Sequence, residues 1–230
     1  MSTGRYGQIS GLTSSICTGE CSGGYYCPAG STSSKELPCG GPSVFCIAGS
    51  GLPTPVSLGF YTLHTGIDAK LRMANDPNNL TCSAQVLCEP GYFCQQGIKY
   101  NCPEGTYGAE YGLYNETCNG MCREGFMCPS YPASRGSTRA NEKECGSSGV
   151  YCPEGTGNQP VPVSAGYYTV GGDATNQTRS AQVKCEPGFF CKHGVKFVCP
   201  VGRYGSSAGL KDEFCSGRCQ TKQQDIAYNC

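Results

Sequence analysis

Cysteine governs what this chain can fold into: it occupies 20 of 230 positions, at short and recurring intervals. At that density a disulfide scaffold is the default reading. Zinc is the competing explanation, because cysteine thiolates also ligate metal. Structural zinc sites carry a C-x2-C or an H-x3-5-H knuckle, and the chain has neither. Its short gaps are C-x3-C (Cys17 and Cys21, Cys118 and Cys122, Cys215 and Cys219) and C-x5-C, and its two histidines, His64 and His193, stand outside any ligand cluster. Disulfides persist only in an oxidising compartment, so an extracellular location, secreted or at the cell surface, is expected.

The rest of the composition explains why cross-links are needed. Glycine takes 34 positions, tryptophan is absent and long aliphatic runs are missing. Glycine loses the most backbone entropy on folding, so burial alone is a weak basis for stability here. Basic and acidic side chains number 17 each, for a formal charge of zero. That balance gives no reason to expect nucleic acid or an anionic membrane surface as a partner. No segment reaches the apolar length needed to span a bilayer. Residues Met1–Ile9 are polar and lack the apolar stretch of a secretory signal. Together with the expected location, this predicts a processed or excerpted piece of a longer chain.

The chain also repeats itself. GRYGQISGLTSSICTGEC at Gly4–Cys21 returns as GTYGAEYGLYNETCNGMC at Gly105–Cys122 and as GRYGSSAGLKDEFCSGRC at Gly202–Cys219. AQVLCEPGYFCQQGIKYNCP at Ala84–Pro103 returns as AQVKCEPGFFCKHGVKFVCP at Ala181–Pro200. The predicted organisation is unit 1 over residues 1–101, lacking its leading Cys-Pro, unit 2 over 102–198, and a partial unit 3 over 199–230. Within the units a smaller element, C-x2-G-Φ-Φ-C with Φ being Tyr, Phe or Met, occurs at Cys21–Cys27, Cys88–Cys94, Cys122–Cys128 and Cys185–Cys191. Its glycine permits a turn with positive φ, and its aromatics can cover the neighbouring sulfurs as a miniature core. An aromatic binding platform is the alternative, less favoured because the element sits beside cysteines every time. Gly59–Leu63 and Gly166–Val170 read as short strands, and Asp68–Ala74 is the single helical candidate. The expected fold is small, disulfide-rich and irregular, with short β-strands, in an elongated tandem repeat of cysteine-rich modules.

The run CPEGTYGAEYGLYNETCNGMCREGFMCP resembles the GCC2/GCC3, or ephrin-receptor-like, cysteine-rich module. Its pattern is C-P-x-G-T-Y, a Gly/Ser loop, C-x2-3-C and then G-Y-Y-C-P. The resemblance covers most of the chain outside Gly49–Thr81 and Gly155–Thr178. It implies kinship with EGF-like and TNF-receptor-like modules, which occur in receptor ectodomains and in large extracellular proteins of protists and algae. It supplies no active site. The sequence departs from the pattern at Cys82, opposite Arg179 in the second unit, and after Cys219, where C-x2-G-Φ-Φ-C is lost.

Enzymatic chemistry is not expected. A nucleophile needs a base and an orienting group, and two non-equivalent histidines among mostly oxidised thiols supply neither. Asp212 and Glu213 read as solvated charges, and Glu89 and Glu186, equivalent across units, as turn residues. Calcium would need clustered carboxylates. Asp68, Asp76 and Asp173 do not align between units, so no metal and no cofactor is expected. N-glycans are: the sequons begin at Asn79, Asn115 and Asn176, with Asn79 and Asn176 at equivalent places before the AQV block.

For the cysteines, local closure predicts Cys21–Cys27, Cys39–Cys46, Cys88–Cys94, Cys102–Cys118, Cys122–Cys128, Cys145–Cys152, Cys185–Cys191, Cys199–Cys215 and Cys219–Cys230. Interleaved pairing is the rival, since sequence does not determine connectivity. Cys17 and Cys82 are left over. They are expected to join each other, with a bond from Cys17 to a neighbouring molecule as the alternative. The functional expectation is a structural building block of an extracellular filament, coat or flagellar hair, whose partners are copies of itself joined head to tail. The alternative is a receptor or adhesion ectodomain that binds a protein or glycan ligand.

Overall fold

A computed structural model describes residues 2–64, 80–130, 138, 142–172 and 177–220. The helical candidate Asp68–Ala74, together with Asp76, Asn79, Asp173, Asn176 and Cys230, lies outside the described residues. Among the described residues the chain forms short strands and no helix, and the strands pair two by two into antiparallel hairpins. The packing divides into two compact units.

The first unit comprises Met1–Pro103, Gly108–Asn119 and Tyr131–Thr138. In it β1 (Arg5–Tyr6) pairs with β2 (Gly19–Glu20), β3 (Tyr25–Tyr26) with β4 (Leu37–Pro38) and β5 (Val44–Phe45) with β6 (Thr54–Pro55). Longer hairpins follow, β7 (Phe60–His64) with β8 (Cys82–Leu87) and β9 (Tyr92–Gln95) with β10 (Ile98–Asn101). The second unit comprises Glu104–Tyr107, Gly120–Ser130 and Arg139–Cys230. Its hairpins are β11 (Thr106–Tyr107) with β12 (Gly120–Met121), β13 (Phe126–Met127) with β14 (Lys143–Glu144) and β15 (Val150–Tyr151) with β16 (Val161–Pro162). They continue with β17 (Tyr167–Val170) and β18 (Ala181–Lys184), β19 (Phe189–Lys192) and β20 (Val195–Val198), and β21 (Arg203–Tyr204) and β22 (Gly217–Arg218).

Two local signals produce these hairpins. The glycines of C-x2-G-Φ-Φ-C, Gly24, Gly91, Gly125 and Gly188, all have positive φ between 81° and 89°. The chain reverses there, and the two Φ residues start the next strand. In the longer hairpins, Gln96 and Gly97 (φ 51° and 76°), like His193 and Gly194 (φ 51° and 75°), form the two-residue loop. Consecutive left-handed residues of this kind match the twist of the flanking strands.

Sixteen described apolar residues are buried, and fourteen of them are cysteines; the others are Tyr61 and Phe93. Sulfur therefore takes the place that leucine and isoleucine hold in an ordinary core. Eight disulfides are formed: Cys21–Cys27, Cys39–Cys46, Cys88–Cys94, Cys102–Cys118, Cys122–Cys128, Cys145–Cys152, Cys185–Cys191 and Cys199–Cys215. All are local rather than interleaved. Cys219 is also disulfide-bonded, and its expected partner, Cys230, is not among the described residues.

The expected Cys17–Cys82 bond is not formed, because both residues stay outside the disulfide set. The reason lies in the ladder between hairpins. Gly4 exchanges backbone hydrogen bonds with Cys21 and Cys27, Gly24 N–H donates to Cys46 O, and Cys46 N–H donates to Cys82 O. The Cys21–Cys27 and Cys39–Cys46 elements thus stand between the turn bearing Cys17 and the strand bearing Cys82. Sequence arithmetic counted two leftover sulfurs without locating them.

Candidate functional site

The most elaborate side-chain constellation is built twice, once in each unit, on the two longer hairpins. In the first unit β7 supplies Tyr61, the largest fully buried side chain, and the C-E-P-G turn supplies Glu89. Tyr61 Oη donates to Glu89 Oε1 at 3.1 Å, and Lys99 of β10 donates to Glu89 Oε2 at 3.3 Å. The Lys99 ammonium lies 4.7 Å from the Tyr61 ring centre and 4.6 Å from that of Tyr92. Beside it, Phe93 and Tyr100 stack across the hairpin at 5.2 Å. The second unit reproduces the arrangement. Tyr168 Oη donates to Glu186 at 3.0 Å, Lys196 donates to Glu186 at 3.3 Å and covers Tyr168 and Phe189, and Phe190 stacks on Phe197 at 5.3 Å.

This geometry answers a sequence reading directly. Glu89 and Glu186 do sit in turns, and the structure adds that each receives a tyrosine hydroxyl and a lysine from two other strands. The backbone N–H of Glu186, more than its Tyr168 bond, holds its carboxyl below the usual carboxylate range, with Lys196 adding to the effect. Desolvation is the largest single influence on Lys196 and acts downward. The hydrogen bond and charge of Glu186 outweigh it, so the ammonium titrates above its ordinary value. Each ion pair is satisfied internally and the cations lie over rings. The cluster is a staple between hairpins, with the Glu89 carboxylate largely covered and that of Glu186 about half exposed.

Cys82 and Arg179, the point where the units differ, occupy matching backbone places: Cys46 N–H donates to Cys82 O and Cys152 N–H donates to Arg179 O. The Cys82 thiol is buried and interacts with Thr62. Burial pushes its pKa up, and the Thr62 hydrogen bond offsets part of that rise. In the second unit the Arg179 guanidinium instead donates to the carbonyl of Thr169. Cys17 is half-buried in a turn with φ 55°, its N–H bonded to Ser14 O at 3.2 Å.

Of the sequons, the one at Asn115 is described. Asn115, Glu116 and Thr117 are all exposed, and the Thr117 hydroxyl donates to Asn115 Oδ1. Thr178, the third residue of the Asn176 sequon, is buried. Asp212 Oδ1 accepts from Phe214 N–H at 3.0 Å, which makes it a turn cap.

Sequence reasoning missed Glu142. Its side chain is 2 % exposed and pairs with Arg123 Nε at 2.9 Å, while the Arg123 guanidinium lies 3.7 Å from the Phe126 ring centre. The available signal was Glu36, at the same place before the second strand of its hairpin, which accepts from Thr32 and Ser33 N–H. Glu142 also approaches Cys122 and Cys128 closely enough for a metal triad. Their sulfurs are joined in a disulfide, which removes them as thiolate ligands.

A shallow cleft in the second unit is lined by Ser164, Lys192, His193 and Lys211, among others. The matching positions in the first unit carry Gln95, Gln96 and Tyr114 in place of the three basic residues. No helix among the described residues is long and apolar enough to cross a membrane. Comparison of the chain with protein-family models and with curated proteins finds no match.

Proposed function

We propose that this chain is a structural building block of an extracellular filament, coat or flagellar hair, made of ephrin-receptor-like cysteine-rich modules and assembling head to tail with copies of itself. The observation that carries the reading is the way hairpins join within each unit. Successive modules meet through backbone hydrogen bonds made by cystine residues and glycines, such as Gly24 N–H to Cys46 O and Gly125 N–H to Cys152 O. A contact built from main-chain groups recurs with little dependence on side chains, which suits addition of like to like. The eight disulfides support an oxidising, extracellular setting. The exposed Asn115 sequon supports a glycoprotein. Val195, Phe197, Val198 and Val201 add exposed apolar surface in the second unit, which a contact between molecules would cover.

A second reading, an ectodomain binding an anionic protein or glycan ligand, draws on the basic cleft at Lys192, His193 and Lys211. Electron microscopy of native material separates the two. Regular fibrils with an axial repeat are the expected result. Isolated particles at high concentration would overturn the filament reading and favour the ectodomain.

A further inference from the structure

At one place the repeat supplies its own control. In the second unit Val163, Ser164, Ala165, Lys192, His193 and Lys211 line a cleft of about 260 Å³. The first unit carries Val56, Ser57, Leu58, Gln95, Gln96 and Tyr114 at the matching positions. The backbone there is the same in both: Cys94 N–H donates to Leu113 O and Cys191 N–H to Leu210 O, each at 2.8 Å. What changes is the chemistry. Leu58 gives way to Ala165, which makes room, and three neutral side chains give way to two lysines and a histidine.

The basic groups are placed and uncommitted. Lys192 ends β19, and His193 follows in the left-handed turn at φ 51°, where Ser148 Oγ donates to its carbonyl at 3.1 Å. A fourth cation stands close by: a Cβ at Gly209 would meet Lys184 Cε at 2.7 Å, so that side chain lies across the segment leading to Lys211. Lys184 replaces Leu87 of the first unit. Among the described residues the Lys192, His193 and Lys211 side chains form no hydrogen bond or ion pair, whereas Lys196 is held by Glu186. The neighbouring Asp212 is engaged by Phe214 N–H. Ser164 Oγ accepts from Gln182 Nε2 at 3.2 Å, which leaves its own proton to donate. In the first unit, which a further module follows, Gln95, Gln96 and Tyr114 stay exposed, so the next module along the chain does not cover this place.

We infer that the cleft binds one acidic sugar residue of a glycan. Lys192, His193 and Lys211 donate to its carboxylate or sulfate ester, and its ring lies on Val163 and Ala165. The inference rests on the ligand-binding reading above and gives that reading its ligand class; it is independent of assembly into filaments. Drug-sized ligands fill about 300–1,000 Å³, so this cleft has room for a single compact group. Donors that carry charge favour an anion over a neutral sugar. An acidic peptide bound in extended form needs a free strand edge. None is left beside the cleft, because β19 is paired by β20 on one side and by Leu210 on the other.

The test is an NMR titration of the whole chain at low salt. The probes are glucuronate, N-sulfoglucosamine, neutral N-acetylglucosamine, inorganic sulfate, and an acidic tetrapeptide of Asp and Glu. Expected are saturable shifts at Lys192, His193 and Lys211 with the acidic sugars and none at Gln95, Gln96 or Tyr114. Neutral sugar and inorganic sulfate should each bind at least about tenfold more weakly, since each lacks half of the contact. The combined variant Lys192→Gln, His193→Gln and Lys211→Tyr carries side chains that the first unit already accommodates on this backbone. It should bind the acidic sugars at least about tenfold more weakly, with Lys35→Gln unchanged. Binding of one acidic sugar and not the other would support the site and identify its anion. Inorganic sulfate or neutral sugar binding as tightly as the acidic sugars, or an unaffected variant, would overturn it. A tetrapeptide that binds as tightly would overturn the sugar assignment and leave the ectodomain reading standing. No shift at the cleft with any probe would overturn both.

Discussion

Replacing Gly97 with alanine isolates what the close approach between modules is worth. Gly97 has φ 76°, and a Cβ there would overlap the carbonyl oxygen of Pro42. Two hydrogen bonds hold the same junction: Thr62 N–H donates to Gly97 O and Thr62 Oγ1 donates to Pro42 O, both at 2.9 Å. Gly30 is the control, with φ 93° and nothing within 4 Å of an added Cβ. The left-handed backbone alone costs an alanine about 1 kcal/mol. At Gly97 the alanine must also draw away from Pro42, which pulls Gly97 O off the Thr62 N–H at a cost of about 1 kcal/mol. The sum is about 2 kcal/mol for Gly97→Ala against about 1 kcal/mol for Gly30→Ala. Guanidinium unfolding with disulfides intact gives the totals, and hydrogen exchange at the Thr62 amide gives the local effect. If Gly97→Ala cost no more than Gly30→Ala, or left Thr62 exchange unchanged, the close-packed junction would not be a source of stability.

Four further outcomes follow from the geometry. Replacing Cys102 and Cys118 together by alanine should cost about 3 kcal/mol in the chain-entropy model, measured by calorimetry. Tyr61→Phe should cost about 1 kcal/mol by deleting the bond to Glu89, and more than Tyr168→Phe, whose ring is less buried; equal losses would mean burial does not set the value of the bond. Glu186 is held low, so its interactions contribute above the unfolded carboxyl value of about 4.3 and fade as pH falls through the lower folded value; a carboxyl NMR titration of Glu186 with a midpoint at or above that value would contradict this. Asn115→Gln should reduce the intact mass of native protein by one N-glycan, while an unchanged mass would show that the exposed sequon is unused.

Much of the local architecture was legible because it is decided within a few residues. A C-x5-C loop containing glycine brings its own sulfurs together, and the two Φ residues after that glycine start a strand in every instance. The staple was only half legible. Glu89 and Glu186 could be matched by their equivalence, but Tyr61 and Lys99 come from other strands, and no periodicity connects them. The Cys17–Cys82 expectation failed for the same reason in reverse. Two unmatched residues in one unit look like partners until the hairpins stacked between them are counted. The Arg123–Glu142 pair was hidden because its members flank a long segment without repeat partners.

A core of cystine has a thermal consequence. Unfolding heat capacity arises largely from newly hydrated apolar surface, typically about 12–15 cal/mol/K per residue in proteins with aliphatic cores. Here the buried residues are mainly half-cystines, and the cross-links keep the unfolded chain compact, so less such surface meets water. The stability curve should therefore be broad and shallow, changing little between cold and warm surroundings. Temperature is a weak lever on this molecule, and the reducing power of its medium is a strong one.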